Sequence, residues 1–144
     1  MSVPTWERET SKTEYIKQLG EYCRTAKTIV YKKPAKYREV FGDRFLNCTI
    51  TAYLSACDAN STYIGPNADI ANFDARIKSL EAAIRYVNYS EYIADLFLGT
   101  CEEVDHNKIS KEQAKIGTYC FNIRNLLHAT LKDTKDRKRK AESK

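Results

Sequence analysis

The amino-acid sequence predicts an all-α protein, folded as an antiparallel up-down-up-down four-helix bundle. The chain has only five glycines and three prolines in 144 residues, which is too few turn residues for an all-β fold. Apolar residues recur every three or four positions in four long segments, the spacing that places them on one face of a helix. Four such segments joined by short connections fit a bundle of this topology.

These segments also predict the domain organisation. We expect a flexible N-terminus over residues 1–9, the four-helix bundle over 10–133 and a disordered basic tail over 134–144. No apolar run approaches the roughly 20 residues that span a bilayer, and the polar N-terminus does not resemble a secretory signal. A cytoplasmic protein with no membrane partner is therefore expected.

The first helix is predicted over residues 10–30. It should end at Lys32-Lys33-Pro34, because the residue before a proline is driven out of the helical region. The second helix is predicted to begin between residues 35 and 38 and to continue to about Tyr63, before the break at Gly65-Pro66-Asn67.

The second helix carries two apolar stripes, whereas a helix covered on one side needs only one. The stripe from Phe41 through Phe45 to Ala56 is expected to face the core. The other stripe could face a second subunit, or it could be buried within an unusually well covered helix. Its residues are the candidate oligomer interface: Leu46, Ile50, Tyr53, Leu54 and Cys57.

The third helix is predicted to begin at Asn67 or Asp69, either of which could cap it. It should continue to about Cys101 or kink near Asn88, and a polar loop over residues 102–107 should follow.

The fourth helix is predicted to open with a capping box at Ser110 and Gln113, in which each side chain bonds the other residue's backbone N–H. Its apolar stripe from Ile116 to Leu131 should face the core, and the helix should end near Lys132.

No catalytic residue, metal site or cofactor is predicted. The five cysteines lack C-x-x-C spacing, and four fall on apolar helix faces, which is typical of buried thiols. The sequence contains neither a phosphate-binding glycine loop nor a Glu-x-x-His pair of the di-iron type.

The charge distribution favours contact with nucleic acid. The net charge is +5, with both ends of the chain basic and residues 67–109 acidic, and a basic surface attracts phosphate backbones. Tyr31 and Tyr37 lie among the basic residues and could stack on bases. The candidate contacts are Arg24, Lys27, Lys32, Lys33, Lys36, Arg38, Arg44, Arg124, Lys132, Lys135, Arg137, Lys138, Arg139 and Lys140.

Arg124 and His128 suggest an alternative. They are four positions apart in the fourth helix, so they share one face. The pair is similar to the arginine–histidine signature of helical HEPN-type ribonucleases. That resemblance would make His128 an acid–base group and Arg124 a phosphate-binding group.

A second resemblance covers residues 27–132. It is carried by residues 34–37 and 41–44 at the entry to the second helix, and by 109–113, 116–117 and 124–127 in the fourth. These stretches resemble the four-helix-bundle superfamily that includes the accessory variability determinant (Avd) of diversity-generating retroelements and the proteins encoded in 23S rRNA intervening sequences.

The Avd resemblance implies a non-enzymatic accessory protein. It would form a homo-oligomer, a pentamer, with a basic surface that binds the element's reverse transcriptase and its template RNA or DNA, and it would support mutagenic retrohoming. The intervening-sequence resemblance implies the same fold in an RNA-binding role without that enzyme partner.

Overall fold

The computed structural model describes residues 5–101 and 105–144, with side chains from residue 13 onward. Within these residues every regular element is helical, which confirms the all-α prediction. A 3₁₀ turn over Ala35–Tyr37 and a π-helical turn over Arg38–Gly42 connect the first two long helices. The four long helices are α1 (Thr5–Tyr31), α2 (Asp43–Ser61), α3 (Ile70–Thr100) and α4 (His106–Glu142).

The four helices share one apolar core, and each contributes the stripe that its periodicity predicted. No described helix has an apolar stretch long enough to cross a membrane. The largest side chains in the core are fully buried: Tyr15, Leu19, Tyr22 and Val30 from α1, Phe45 from α2, Leu80, Val87, Phe97 and Leu98 from α3, and Ile116, Ile123 and Leu127 from α4.

Contacts between helices that follow one another pair residues in opposite chain order. The Tyr53 ring of α2 lies against Gly20, near the middle of α1, whereas Gly42, just before α2, lies against Val30 near the end of α1. The same opposite order holds between α2 and α3, where Ala59 contacts Arg76 and Gly42, just before α2, lies against Phe97. Between α3 and α4, Arg76 contacts Thr134 and Glu91 contacts Arg124. Between the first and last helices, Thr25 contacts Tyr119, and Lys33, just after α1, contacts Glu112.

A polar cluster sits inside this apolar core. The Tyr22 hydroxyl is 2.7 Å from Ser90 Oγ, and the Cys120 thiol donates to the same hydroxyl over 3.3 Å. Burial raises the pKa of Tyr22, and burial also raises the pKa of Cys120 to about 11. Both groups therefore stay protonated, and the Cys120 thiol keeps the proton that it donates to Tyr22. All five cysteines are free thiols, of which Cys101 and Cys120 are fully buried.

Arg38 closes the C-terminal end of α1. Its guanidinium donates to the carbonyl oxygens of Tyr31 and Lys33, at 3.3 Å each, and lies over the Tyr31 ring at 4.5 Å. These carbonyls have no partner within the helix, since the last turn lacks the N–H groups that would follow. Arg38 therefore has a structural role in the connection between α1 and α2.

The fourth helix is longer at both ends than predicted. Asp105 caps it by accepting from the Asn107 backbone N–H at 3.0 Å, so the helix begins before Ser110, and the predicted capping-box start is wrong. Of the predicted 102–107 loop, residues 102–104 lie outside the described residues, and the remainder forms the cap and the first turn of α4.

The predicted disordered tail is also corrected, because α4 continues to Glu142. Thr134 is buried and accepts a hydrogen bond from Arg76 of α3 at 3.2 Å. Four residues later, Lys138 Nζ lies 2.7 Å from the Asp74 carboxylate, also of α3. The basic residues therefore extend a helix that packs on α3, and composition alone does not show this because the acidic partners come from another segment.

The other boundaries differ by a few residues. Of the predicted flexible segment 1–9, residues 5–9 belong to α1 and residues 1–4 lie outside the described residues. The second helix ends at Ser61, two residues before the predicted Tyr63. The third helix runs from Ile70 to Thr100 as one element and includes Asn88.

Gly42 provides a test of the close packing between α1, α2 and α3. A Cβ at this position would lie 3.2 Å from Phe97 and 3.2 Å from Val30, both fully buried. Overpacking costs about 1–3 kcal/mol, against the roughly 1 kcal/mol that alanine gains over glycine in a helix. We expect Gly42→Ala to lower the free energy of unfolding by about 1 kcal/mol in urea titrations followed by circular dichroism.

The matched control is Gly99→Ala. Gly99 is also helical, but no atom lies within 4 Å of its Cβ position, so this change should raise stability by up to about 1 kcal/mol. Equal effects of the two substitutions would contradict the close packing inferred at Gly42.

Candidate nucleic-acid interface

A groove between α1 and α4 gathers basic side chains from both helices. It has a volume of about 400 Å³, and Tyr119, Thr25 and Thr28 form part of its wall. We call it the α1–α4 groove and define it by its five cationic residues, Arg24, Lys32, Lys108, Lys111 and Lys115.

Helical spacing explains why these residues converge. Arg24 lies on α1, and Lys32 directly follows the last residue of that helix with its backbone N–H still bonded to Thr28 at 3.1 Å. The two residues are a little over two helical turns apart and therefore point to the same side. Lys108, Lys111 and Lys115 are three and four positions apart in the first turns of α4, so they also form one row. All five side chains are exposed, and none forms an ion pair with a described residue.

A buried ion pair lies at the floor of this groove. Lys33 Nζ is 2.5 Å from the Glu112 carboxylate, with the two side chains only 1% and 10% exposed. The carboxylate that lines the groove is thus neutralised from inside the protein. Glu21, at the edge, is then the remaining acidic side chain among the lining residues, and the groove keeps a strongly positive potential.

Lys33 was predicted to contact nucleic acid, and that prediction is wrong because the side chain points inward and is 2% exposed. The residue follows the end of α1, where the chain turns before Pro34, and its ammonium group reaches Glu112 across 79 positions of sequence. A lysine-rich stretch gives no sign of such a distant partner.

The other predicted contacts near α1 and α2 are dispersed. Lys27 is exposed on α1 outside the groove lining, and Lys36 lies with its Nζ 5.1 Å from the centre of the Tyr37 ring. Arg38 is engaged with backbone carbonyls. Arg44 lies in a separate depression between α2 and α3, beside Tyr86.

The predicted contacts in the last turns of α4 are partly occupied by acidic neighbours. Arg137 pairs with Asp133 at 3.1 Å, and Arg139 pairs with Asp136. Lys138 pairs with Asp74, as described above. Lys132, Lys135 and Lys140 are exposed and form no ion pair with a described residue.

The sequence analysis missed Lys108, Lys111 and Lys115, which supply most of the cations in the α1–α4 groove. Because the fourth helix was expected to begin at Ser110, Lys108 fell before its predicted start and Lys111 fell within the predicted capping box. The signal that identifies them is their 3-4 spacing, which is meaningful only if the helix begins by residue 106.

The candidate oligomer stripe of α2 divides into two parts. Ile50 and Leu54 are 47% and 55% exposed and point away from the core. Leu46 and Tyr53 are half-buried and pack against it, and Cys57 is also half-buried. Only the first part of the stripe is available to a partner.

Arg124 and His128 lie on α4 but do not form an isolated pair. Arg124 Nη1 is 3.0 Å from the Glu91 carboxylate and 3.2 Å from the Asn88 side-chain oxygen, so its guanidinium is held by α3. His128 is exposed one turn further along. Among the described residues, no three His, Cys, Asp or Glu side chains are grouped in a way that could hold a metal ion.

Comparisons of the chain with protein-family models, with curated proteins and with solved structures find no match. The chemistry of the α1–α4 groove is therefore the basis for assigning a function.

The Lys33–Glu112 pair predicts a specific pattern of stabilities. Removing one partner leaves a buried charge without compensation, so Lys33→Met and Glu112→Leu should each lower the free energy of unfolding by about 3–5 kcal/mol. The double variant Lys33→Met/Glu112→Leu should lose less than either single variant, because no charge is then left buried. Urea unfolding of the four proteins measures the coupling, and additive losses would show that the pair is not desolvated as described.

Proposed function

We propose that this protein binds nucleic acid through the phosphate backbone and has no catalytic activity of its own. The observation that supports this is the α1–α4 groove, in which five cations without an ion-pair partner among the described residues surround a carboxylate that is already neutralised. Phosphates bind to such a site by releasing condensed counterions, without recognition of base sequence.

We propose further that the protein is an accessory subunit of a diversity-generating retroelement, acting in the cytoplasm with the reverse transcriptase and its template RNA or DNA. The stretches of sequence that resemble the Avd superfamily, at the entry to the second helix and in the fourth, support this role. The second of these stretches, residues 109–113 and 116–117, lies in the part of α4 that lines the α1–α4 groove. An RNA-binding protein of the 23S rRNA intervening-sequence type is the alternative, and a reverse transcriptase gene beside this one would favour the retroelement role.

An up-down-up-down order of the helices is part of this proposal. It is supported by the opposite chain order of the contacts in every pair of neighbouring helices, from Val30 with Gly42 to Lys33 with Glu112. This order places the end of α1 next to the start of α4, which is where the cations of the α1–α4 groove converge.

Self-assembly is the second part of the proposal. Ile50 and Leu54 are one turn apart, exposed and apolar, which is typical of positions that a partner subunit covers. A homo-oligomer, pentameric if the Avd resemblance extends to assembly, would also repeat the basic groove around its circumference. Repeated grooves on one ligand raise the overall affinity without a new contact.

Ribonuclease activity receives less support from the site. A phosphate-binding arginine must be free to meet its substrate, whereas Arg124 is bonded to Glu91 and Asn88. We therefore assign Arg124 to the interface between α3 and α4.

The binding proposal predicts a charge-dependent loss. Lys111→Gln/Lys115→Gln should weaken binding to a random-sequence RNA or DNA by roughly tenfold at low salt, and it should reduce the slope of log affinity against log salt by about 2. Fluorescence anisotropy at several salt concentrations measures both quantities.

The matched control is Lys78→Gln/Arg85→Gln, which removes two exposed charges of α3 outside the α1–α4 groove. Its affinity should remain within about twofold of the parent. Equal losses in the two variants would mean that only net charge matters, and an absence of salt-sensitive binding in the parent would refute the proposal.

The assembly proposal predicts a change in mass. The single chain has a mass of 16.6 kDa, and light scattering of the parent should give a multiple of that value. Ile50→Ser/Leu54→Ser should shift the mass toward the single chain, because the stripe can no longer bury apolar area in a partner. The control is Phe121→Ser, which changes an exposed apolar position on α4 and should leave the mass unchanged. A parent protein that is monomeric would exclude the proposed interface.

A further inference from the structure

Two sets of basic residues with the same spacing lie at the start of α4 and at its end, where the last member, Lys144, is two residues beyond the helix. Lys108, Lys111 and Lys115 form one set, and Arg137, Lys140 and Lys144 form another, each position lying 29 residues beyond its counterpart. We call them the near set and the far set. At 3.6 residues per turn, 29 residues correspond to about eight full turns, so Arg137 and Lys140 lie on the same face of α4 as the near set. Lys144 follows the helix end and lines the same depression as those two residues. The two sets are then about 44 Å apart along the axis.

The far set has its own depression on the surface. All three of its side chains are exposed and line a space of about 380 Å³ beside Phe73 and the turn at Gly65-Pro66. Arg137 also pairs with Asp133 at 3.1 Å, but both side chains are about half exposed. Such surface pairs contribute little, so the guanidinium retains donors for a phosphate.

Between the two sets, the same face of α4 carries no basic residue. It presents Asn122, Leu126, Ala129 and Asp133. Proteins that hold single strands use a continuous basic track with aromatic side chains on which bases stack. This stretch lacks the continuous basic track, because Arg76 beside it is held by Thr134 and by the Ala59 carbonyl oxygen. Tyr119 lies beside the near set and Tyr63 lines the surface next to Asp133, so the two rings are separate and have no row of free basic side chains between them. The Asp133 carboxylate would repel a backbone lying along the stretch.

We infer that the nucleic-acid ligand is a duplex of at least about 13 base pairs, the length that covers 44 Å at roughly 3.4 Å per base pair. A duplex is stiff on this scale, with a persistence length near 150 base pairs, so its phosphates meet both sets without being ordered first. The inference rests on the proposed function, and it adds the form and the minimum length of the ligand. RNA and DNA duplexes share this backbone chemistry.

A series of duplex lengths tests the inference. Duplexes of about 8, 12, 16 and 20 base pairs, made as RNA and as DNA, are titrated by anisotropy at fixed salt, with affinities corrected for the number of binding positions. We expect the affinity to rise by at least tenfold between about 8 and 16 base pairs, the length at which a duplex bound to the near set also reaches the far set. This rise is called the step below. The RNA and DNA arms show which duplex gives the larger step.

The far set is then removed by Arg137→Gln/Lys140→Gln/Lys144→Gln. This variant should bind the longest duplex roughly tenfold more weakly, with a salt slope smaller by about 2.7, yet bind the shortest duplex as the parent does. The matched control is Lys17→Gln/Lys78→Gln/Arg85→Gln, which removes the same charge from exposed positions of α1 and α3 outside both sets. The control should keep the step, and circular dichroism should show equal helix content in all three proteins.

The outcomes separate this inference from the proposed function. If the parent binds duplexes through the near set but shows no step, or if the far-set variant weakens all lengths equally, the inference is overturned and the proposed function stands. Equal affinity for a single strand of about 20 nucleotides also overturns it, since a flexible strand would then suffice. Failure to bind any of these ligands refutes both.

Discussion

The ion pair between Lys33 and Glu112 is the interaction on which the functional surface depends. It joins the end of α1 to the second turn of α4, two points that are distant in sequence, and so sets the width of the groove between them. It also removes the negative charge of the one carboxylate at the groove floor. A buried pair of this kind is weak evidence for net stability, because desolvation costs about as much as the attraction returns. Its value here lies in placing five other cations around a neutral floor.

Contacts within the protein also determine which basic residues of the chain are available to a ligand. Arg38 satisfies carbonyl groups at the end of α1, and Arg124 is held by α3. Lys138 reaches an acidic residue of α3, and this hydrogen bond to Asp74 raises its pKa. The acidic third helix thus takes up part of the positive charge of the fourth. Among the cations left over are those of the α1–α4 groove, whose described lining has two acidic residues, Glu21 at the edge and Glu112, which is already paired with Lys33.

The fold was more predictable from the sequence than the site. Apolar spacing identifies all four helices and most of their buried residues, because burial of one face is what makes a helix in a bundle stable. Helix ends were less predictable: Asp105 caps α4 where Ser110 was expected, and Thr134 is buried where a disordered tail was expected. In both cases one unrecognised contact determines the helix end. Asp105 caps the start of α4, and Arg76 of α3 donates a hydrogen bond to Thr134 near its end.

The site shows this limit more clearly. Arg24 and Lys32 were among the predicted contacts and do line the α1–α4 groove, whereas Lys33, their immediate neighbour, is buried. The pattern of charges in a sequence does not distinguish adjacent lysines. At a helix end, however, one side chain can point to solvent and the next into the core, as at Lys32 and Lys33. The role of Lys108 likewise depends on where α4 begins, and a one-turn error in that boundary hides the row that it forms with Lys111 and Lys115.

The two ends of α4 differ in how their charges are shielded. Near Glu112 the ion pair is almost fully buried, so dissolved ions screen it only weakly. Near Lys138 the attachment to α3 uses exposed charges, and these attractions weaken as ionic strength rises. One continuous helix therefore has one end whose position depends little on ionic strength and another whose attachment to the bundle weakens as ionic strength rises. A polyanion arriving at the second end competes with the carboxylates of α3 for the same cations, and the salt concentration of the surroundings sets the balance of that competition.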